Sequence, residues 1–172
     1  GKLRISSARS KSFETSFFQL LMLHSQLVSD VRDKIEGGYN AEGRRMFSLL
    51  QKRMRNFYDD AIEKNEDGEQ LAVECYEALY EKHPEILGHY FRHLYHIIKF
   101  VADSKLALID KQRYASIVRA QLSVYEHVLL HYNGLSGYGK EKFKELIERF
   151  ALLENMQRDL LLNENHKTSY KP

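Results

Sequence analysis

The segment YASIVRAQLSVYEHVLLHYN, residues 114–133, determines the expected fold more than any other part of the chain. Its large apolar residues recur at spacings of three and four, which is the pattern of one face of an α-helix. The pattern predicts a long amphipathic helix that is buried along one side. The apolar face consists of Val118, Leu122, Tyr125, Leu129 and Tyr132.

Four polar residues lie beside this apolar face at helical spacing. At about 100° per residue they would share one side of a single helix. An arginine can bind a carboxylate or phosphate through two parallel hydrogen bonds, and an acid and an amide could orient it. The same groups could instead join neighbouring helices, so both interpretations stay open. The four residues are Arg119, Ser123, Glu126 and Asn133.

Composition favours one soluble helical domain. The length of 172 residues suits a single core, and 43% hydrophobic residues are too many for a disordered chain. Two prolines and no tryptophan, with long stretches free of turn signals, favour helices over many short strands. The net charge of +2 gives no general attraction to nucleic acid. No apolar run is long enough to span a bilayer, and the single cysteine, Cys75, excludes an internal disulfide.

The expected fold is a single all-α bundle of about six helices, with helices four and five as the central antiparallel pair. Gly37 and Gly38 would end the first helix. The expected organisation is a basic juxtamembrane-like leader at 1–11, a helical domain at 12–162 and a flexible tail at 163–172. The six helices are predicted at about 12–33, 41–64, 70–82, 84–101, 110–132 and 140–156.

The predicted fourth helix offers a second polar face. His89, His93 and His96 lie on one side of it, with Arg92 next to them. Histidines at this spacing can chelate zinc. However, no glutamate follows the first histidine as in metalloproteases, so neither a metal site nor a cofactor is expected.

The predicted second helix carries the densest cluster of basic residues. Its positive face could contact RNA or an anionic membrane surface, although most such faces are simply solvated. The face consists of Arg44, Arg45, Lys52 and Arg55, opposite the apolar residues of the same helix.

The loop GLSGYGKE, residues 134–141, resembles a phosphate-binding P-loop without fulfilling its requirements. Glu141 stands where a hydroxyl would bind magnesium, and the loop follows a helix rather than a strand. The three glycines more simply permit a sharp turn between helices.

A metal-independent ribonuclease is the alternative function. Arg119 with His127 or His96 would be its catalytic residues, and the basic face of helix two would bind RNA. Such helical enzymes need an arginine and a histidine with about four to six intervening residues on one helix. Arg92 to His96 leaves three and Arg119 to His127 leaves seven, so neither pair fits.

Three blocks of the sequence resemble the phage abortive infection proteins of the AbiC-like type. They are YFRHLYHIIKF (90–100), YASIVRAQLSVYEHVLLHYN (114–133) and FKELIERFALLENM (143–156), and residues 13–31 resemble that family's opening helix. The resemblance implies bacterial defence against phage and attachment to the inner face of the membrane through segments outside this chain. It supplies no catalytic residues.

These observations predict a non-enzymatic sensor or effector module on the cytoplasmic side of the bacterial inner membrane. A phage or host trigger would be its partner, and self-association is a further possibility. Two helices would meet so that their polar residues line one shared cleft. The cleft residues would be Arg92, His93, His96, Arg119, Ser123, Glu126 and Asn133.

Overall fold

A computed structural model describes residues 2–34, 40–64 and 68–171, and these residues form the expected all-α fold. A short π-helical segment, Pro84–Gly88, leads directly into the fourth helix. Two three-residue strands, β1 (Arg32–Lys34) and β2 (Asn40–Glu42), pair antiparallel between the first two helices. The helices are α1 (Lys2–Asp30), α2 (Arg45–Ile62), α3 (Glu69–Lys82), α4 (His89–Asp103), α5 (Leu108–Gln121), α6 (Val124–Leu135) and α7 (Phe143–Arg149).

The first helix begins earlier than predicted. It starts at Lys2 rather than at residue 12, so most of the expected leader continues α1 without a break. The helix ends at Asp30, before the β1 strand. Gly37 and Gly38, which were expected to end it, lie outside the described residues.

The predicted fifth helix is two helices, and this difference changes the functional interpretation. Leu122 and Ser123 have ψ angles of 130° and 166°, which are extended values that a helix cannot contain. The chain therefore leaves α5 after Gln121 and starts α6 at Val124. The single helical side that was predicted to carry Arg119 together with Glu126 does not exist.

The packing also differs from the expected central pair. Helix α4 packs most extensively against α1 and also contacts α5, whereas α6 packs against α2 and α3. The core lies between these helices and includes fully buried Leu50, Leu94 and Leu129. Burial of such side chains contributes roughly 1.5–3 kcal/mol each, so this apolar interior provides most of the stability. None of the described helices combines the length and apolarity needed to cross a bilayer.

The C-terminal segment is packed rather than loose. The predicted sixth helix is reduced to α7, and Ala151 follows it with a positive φ of 48°. His166 is 5% exposed, and its Nδ1 lies 2.9 Å from the Tyr132 hydroxyl. The Tyr170 hydroxyl donates a 2.6 Å hydrogen bond to the His131 carbonyl. The expected flexible tail therefore covers α6, because its aromatic and imidazole groups find buried partners there.

Candidate functional site

The Glu126 carboxylate is the centre of a buried hydrogen-bond network. Its side chain is 1% exposed and lies in the first turn of α6. The Tyr90 hydroxyl donates to Oε1 at 2.8 Å, while Arg44 Nη1 and the Ser123 N–H each donate to Oε2 at 2.7 Å. Arg44 also donates to the Gln121 carbonyl at 2.7 Å. Burial of a carboxylate is costly without such partners, so the network explains why Glu126 can be inside.

Ser123 and Glu126 also begin α6 together. The Ser123 hydroxyl accepts a 3.3 Å hydrogen bond from the Glu126 N–H, and the Glu126 carboxylate accepts one in return from the Ser123 N–H. This reciprocal arrangement is a capping box, which marks a helix N-terminus. Its sequence signal, Ser-x-x-Glu, is present and could have revealed the helix break. The Ser123 hydroxyl and the Glu126 carboxylate therefore serve helix capping, and the carboxylate also binds Arg44. Neither group is left for the predicted ligand.

Arg119 has different partners from those expected. It lies in the last turn of α5, where its Nη1 donates a 3.0 Å hydrogen bond to the Ala151 carbonyl. The same nitrogen lies 2.5 Å from Glu154 Oε2. Arg119 thus holds the segment after α7 against α5. The helix break at Ser123 separates this arginine from the Glu126 network, so the predicted cleft that all seven residues would share does not form.

His93 contacts the first helix. Its Nδ1 lies 3.3 Å from the Nδ1 of buried His24, and the two rings are nearly parallel. Burial, and after it the nearby His93, lower the pKa of His24 to about 4. Burial also lowers the pKa of His93, as do His89 and His96. Both rings of the pair are therefore neutral at pH 7, and one donates to the other.

Arg92 and Asn133 are two predicted ligand residues, from different helices, that line one pocket. They line a pocket of about 190 Å³ between α4, the end of α6 and the loop that leads to α7. Tyr138 and Lys142 from that loop complete it, with Tyr80 from the last turn of α3. The rings of Tyr80 and Tyr138 stack with centroids 3.6 Å apart. We refer to this as the Arg92 pocket.

The Arg92 pocket has a surplus of positive charge. Arg92 and Lys142 are exposed, and neither makes an ion pair within the part of the chain that the structure describes. Glu81 and Glu77 are close to Tyr138, and after the larger effect of burial their charges raise the pKa of its hydroxyl. Glu77 is already engaged, since its Oε1 accepts a 2.7 Å hydrogen bond from a loop N–H. The two free cations can therefore hold a phosphate or carboxylate.

Asn133 fixes the rear of this pocket. It is 2% exposed, and its Nδ2 donates a 2.8 Å hydrogen bond to the Tyr76 hydroxyl. Gly139 packs so tightly on Asn133 that an added Cβ would lie 2.5 Å from its carbonyl oxygen. The glycine loop thus serves close packing, as expected from its failure to match a P-loop. Sequence reasoning missed Tyr138 and Lys142 as pocket residues, although both lie in or beside that loop.

The residues of the ribonuclease alternative are not arranged as a catalytic pair. His127 is 4% exposed, and both of its ring nitrogens lack a hydrogen-bond partner. Burial lowers the pKa of His127; Arg119 lowers it further, although Glu126 opposes this. His96 is exposed on α4, where its nearest aromatic neighbour is Tyr95. Within residues 2–34, 40–64 and 68–171, no cluster of side chains could hold a metal ion.

The basic face of α2 is only partly free. Arg44 is engaged by Glu126, and Arg55 donates to the backbone carbonyls of residues 160–162, the shortest at 2.6 Å. Arg45 and Lys52 are exposed. Two of the four predicted surface cations therefore stabilise the fold, which leaves a smaller positive patch than the sequence indicated.

The fold and the Arg92 pocket define an all-α domain with a candidate site for an anionic group. Residues 82–160 match the model of a family described as "Putative phage abortive infection protein". This confirms the family resemblance over that part of the chain and associates it with phage abortive infection. The matched part contains Arg92, Asn133 and Lys142 but not residues 13–31. No curated protein and no solved structure matches the chain.

Proposed function

We propose that this chain is a non-enzymatic module of an abortive-infection system and recognises an anionic group in the Arg92 pocket. The observation that carries the proposal is the pair of cations, Arg92 and Lys142, which have no acidic partner among the described residues and lie in the segment that matches the family. The anionic group belongs to the phage or host trigger.

Each pocket residue has a definite role in this proposal. The Arg92 guanidinium forms two parallel hydrogen bonds to a phosphate or carboxylate, and the Lys142 ammonium adds a mobile positive charge. Asn133, fixed by Tyr76, limits how deeply the group enters. The volume of about 190 Å³ is below the range of roughly 300–1,000 Å³ that whole small molecules occupy. The pocket therefore holds one charged group of a larger ligand.

The proposal is tested by phage plating on cells that express the protein. Arg92→Ala and Lys142→Ala should each reduce protection, and the double variant should abolish it, because both cations lie on the surface and neither stabilises the fold. Circular dichroism and the level of soluble protein establish that the variants remain folded.

Arg113→Ala is the matched control for these substitutions. Its side chain is 73% exposed and pairs only with Asp110 at 3.3 Å, a surface contact of little energetic value. This variant should protect as well as the unaltered protein. Full protection by the folded Arg92→Ala, Lys142→Ala double variant would reject the pocket as the site of recognition.

The ribonuclease alternative has weaker support. Burial of His127 keeps it from an RNA substrate, and Arg119 is bound to Glu154 and the Ala151 carbonyl. Incubation of the purified chain with labelled RNA, with and without a chelator, distinguishes the two functions. Cleavage that is lost in His127→Ala would favour the enzyme.

Attachment at the inner membrane surface is also part of the proposal. The first turns of α1 carry Lys2, Arg4, Arg9 and Lys11 without an acid, a composition that favours anionic lipid headgroups. Sedimentation with vesicles of anionic or neutral lipid tests this, and binding should require the anionic lipid. The exposed side chains of Phe18, Met22 and Leu23 on the same helix support self-association, which light scattering measures.

A further inference from the structure

A second pocket lies beside the C-terminal end of α7, whereas the Arg92 pocket adjoins its start. It is formed by α7, the turns that follow it and the C-terminal segment, and its volume is about 400 Å³. That value falls within the range of roughly 300–1,000 Å³ that is typical of small-molecule sites. Ile147, Leu153 and Met156 give it an apolar floor. We refer to it as the His131 pocket.

The wall of this pocket contains a buried imidazole without a partner. His131 is 0% exposed, and neither of its ring nitrogens makes a hydrogen bond to the described residues. Burial and the nearby His166 lower its pKa to about 3, so the ring is neutral and offers one N–H donor. Buried polar atoms in proteins nearly always have a partner. Neither ring nitrogen reaches the pocket surface in the ligand-free protein, so a ligand group in the adjoining pocket provides this partner when the ring or the side chains that cover it move.

The rim of the pocket is positively charged. Arg158, Lys167 and Lys171 line it, and their side chains form no ion pair with any residue of the described ranges. The two acids of the pocket are already engaged. Glu154 lies 2.5 Å from Arg119, and Glu148 accepts a 3.1 Å hydrogen bond from a backbone N–H. The free charges at the entrance are therefore cations.

The backbone at the pocket edge is strained. Ala151 has a φ of 48°, a conformation that costs a residue with a Cβ atom free energy and that clusters at functional sites. The Arg119 hydrogen bond to the Ala151 carbonyl holds this conformation. This hydrogen bond fixes the shape of the turn after α7, which borders the pocket.

We propose that the His131 pocket binds an amphipathic monoanion, with its apolar body on the floor and its anionic group between the His131 N–H and the cationic rim. This site is separate from the Arg92 pocket and does not depend on the function proposed for it.

Sodium octanoate is a suitable probe, with acetate and 1-octanol as comparisons. In nuclear magnetic resonance titrations of the purified chain, octanoate should shift the His131 ring signals and the Met156 methyl signal saturably. Acetate lacks the apolar body and 1-octanol lacks the charge, so each should bind at least about tenfold more weakly. Equal affinity for octanoate and 1-octanol, or octanoate shifts confined to other parts of the protein, would overturn the proposal.

Two variants identify the groups responsible. His131→Phe keeps an aromatic ring but removes both nitrogens, and it should weaken octanoate binding about fivefold or more. His127→Phe is its control, because His127 is equally buried and unpartnered but does not line this pocket. Should His131→Phe fail to fold, exposed Arg158→Gln with Lys167→Gln should weaken octanoate but not 1-octanol. Unchanged octanoate binding in either folded variant contradicts the site.

Discussion

The Tyr90 hydroxyl donates a 2.8 Å hydrogen bond to the Glu126 carboxylate and thereby joins α4 to the first turn of α6. Tyr90 is fully buried, and burial, followed by the charge of Glu126, raises its pKa well above 10. The phenol therefore remains a donor throughout the range in which the protein is folded. This contact assigns Glu126 to the architecture of the domain rather than to ligand binding.

Glu126→Gln should lower the free energy of unfolding by roughly 1–3 kcal/mol. The glutamine side chain has one acceptor oxygen instead of two, so it cannot accept from Tyr90, Arg44 and the Ser123 N–H at once. Its NH₂ group would also lie against one or more of these donors. Urea denaturation measures the change. Glu141→Gln, in an exposed position, should change the stability by less than about 0.5 kcal/mol. Equal effects of the two substitutions would contradict the structural role of Glu126.

Ser123→Ala should cost about 1 kcal/mol of stability, within the range of roughly 0.5–2 kcal/mol for lost helix caps. The substitution removes the hydroxyl that accepts from the Glu126 N–H. Ser25→Ala, on an exposed side of α1, should leave the urea midpoint unchanged or raise it slightly. A cap role is disproved if both serine variants unfold at the same urea concentration as the unaltered protein.

Stability should fall steeply under mildly acidic conditions. Burial lowers the pKa values of His24 and His131 to about 4 and about 3, against roughly 6.5 in the unfolded chain. The unfolded state thus binds more protons below about pH 6.5, and each histidine then reduces the free energy of unfolding by about 1.4 kcal/mol per pH unit. The loss of stability caused by protonation at His24 is complete at about pH 4, whereas the loss caused by His131 continues to grow until about pH 3.

Urea denaturation at several pH values between 7 and 4 tests this dependence. His131→Phe removes one of the two histidines, so the stability of this variant should decline less steeply. Between pH 6.5 and 4 it should lose about 3 kcal/mol less than the unaltered protein. The exposed substitution His96→Phe should keep the slope of the unaltered protein. Parallel profiles for all three proteins would show that His131 is not shielded from protonation.

Arg55 should contribute more to folding than its helical neighbour Lys52. Arg55→Ala removes hydrogen bonds to the carbonyls of residues 160–162, so it should destabilise the protein by roughly 1–3 kcal/mol. Lys52→Ala should stay within about 0.5 kcal/mol, because Lys52 is exposed. Thermal unfolding followed by circular dichroism compares the two. Loss of RNA binding without loss of stability in Arg55→Ala would instead support the basic face as a nucleic-acid site.

Gly139→Ala should destabilise the loop next to the Arg92 pocket by roughly 1–3 kcal/mol. Its new Cβ would lie 2.5 Å from the Asn133 carbonyl oxygen, and that backbone cannot move without disturbing α6. Gly137→Ala in the same loop would meet only the Glu77 carboxylate at 3.4 Å and should be tolerated. Thermal unfolding of both variants measures the difference, and a stable Gly139→Ala would mean that the loop packs differently.

The helical class could be predicted from the sequence, because buried helices keep apolar residues at spacings of three and four, and this spacing can be read locally. The long apolar face of residues 114–133 was correctly assigned to helix, but the capping box at Ser123 was overlooked. At that position a local hydrogen-bond motif outweighs a continuous apolar pattern. The packed C-terminus was missed for a different reason. His166 and Tyr170 have no apolar period, and their burial depends on partners about thirty to forty residues away.

The candidate site could be predicted only in part. Arg92 and Asn133 were selected because their residue types suit an anion, and the structure brings both to one pocket. The same reasoning predicted Arg119, yet its guanidinium pairs with Glu154 and donates to the Ala151 carbonyl. Spacing along one helix cannot distinguish a free cation from one that a distant residue neutralises. Lys142 was missed because it lies in a turn, where periodicity carries no information.

The most direct test of the central claim is a titration with inorganic pyrophosphate, followed through the Arg92 side-chain signal in nuclear magnetic resonance. Pyrophosphate should shift the Arg92 Nε signal and the backbone signals of Tyr138 and Lys142 saturably. In the folded Arg92→Gln, Lys142→Gln double variant these backbone shifts should disappear, whereas Arg113→Gln should bind as the unaltered protein does. Undiminished binding by the double variant, or shifts confined to Arg45 and Lys52 on α2, would contradict the account.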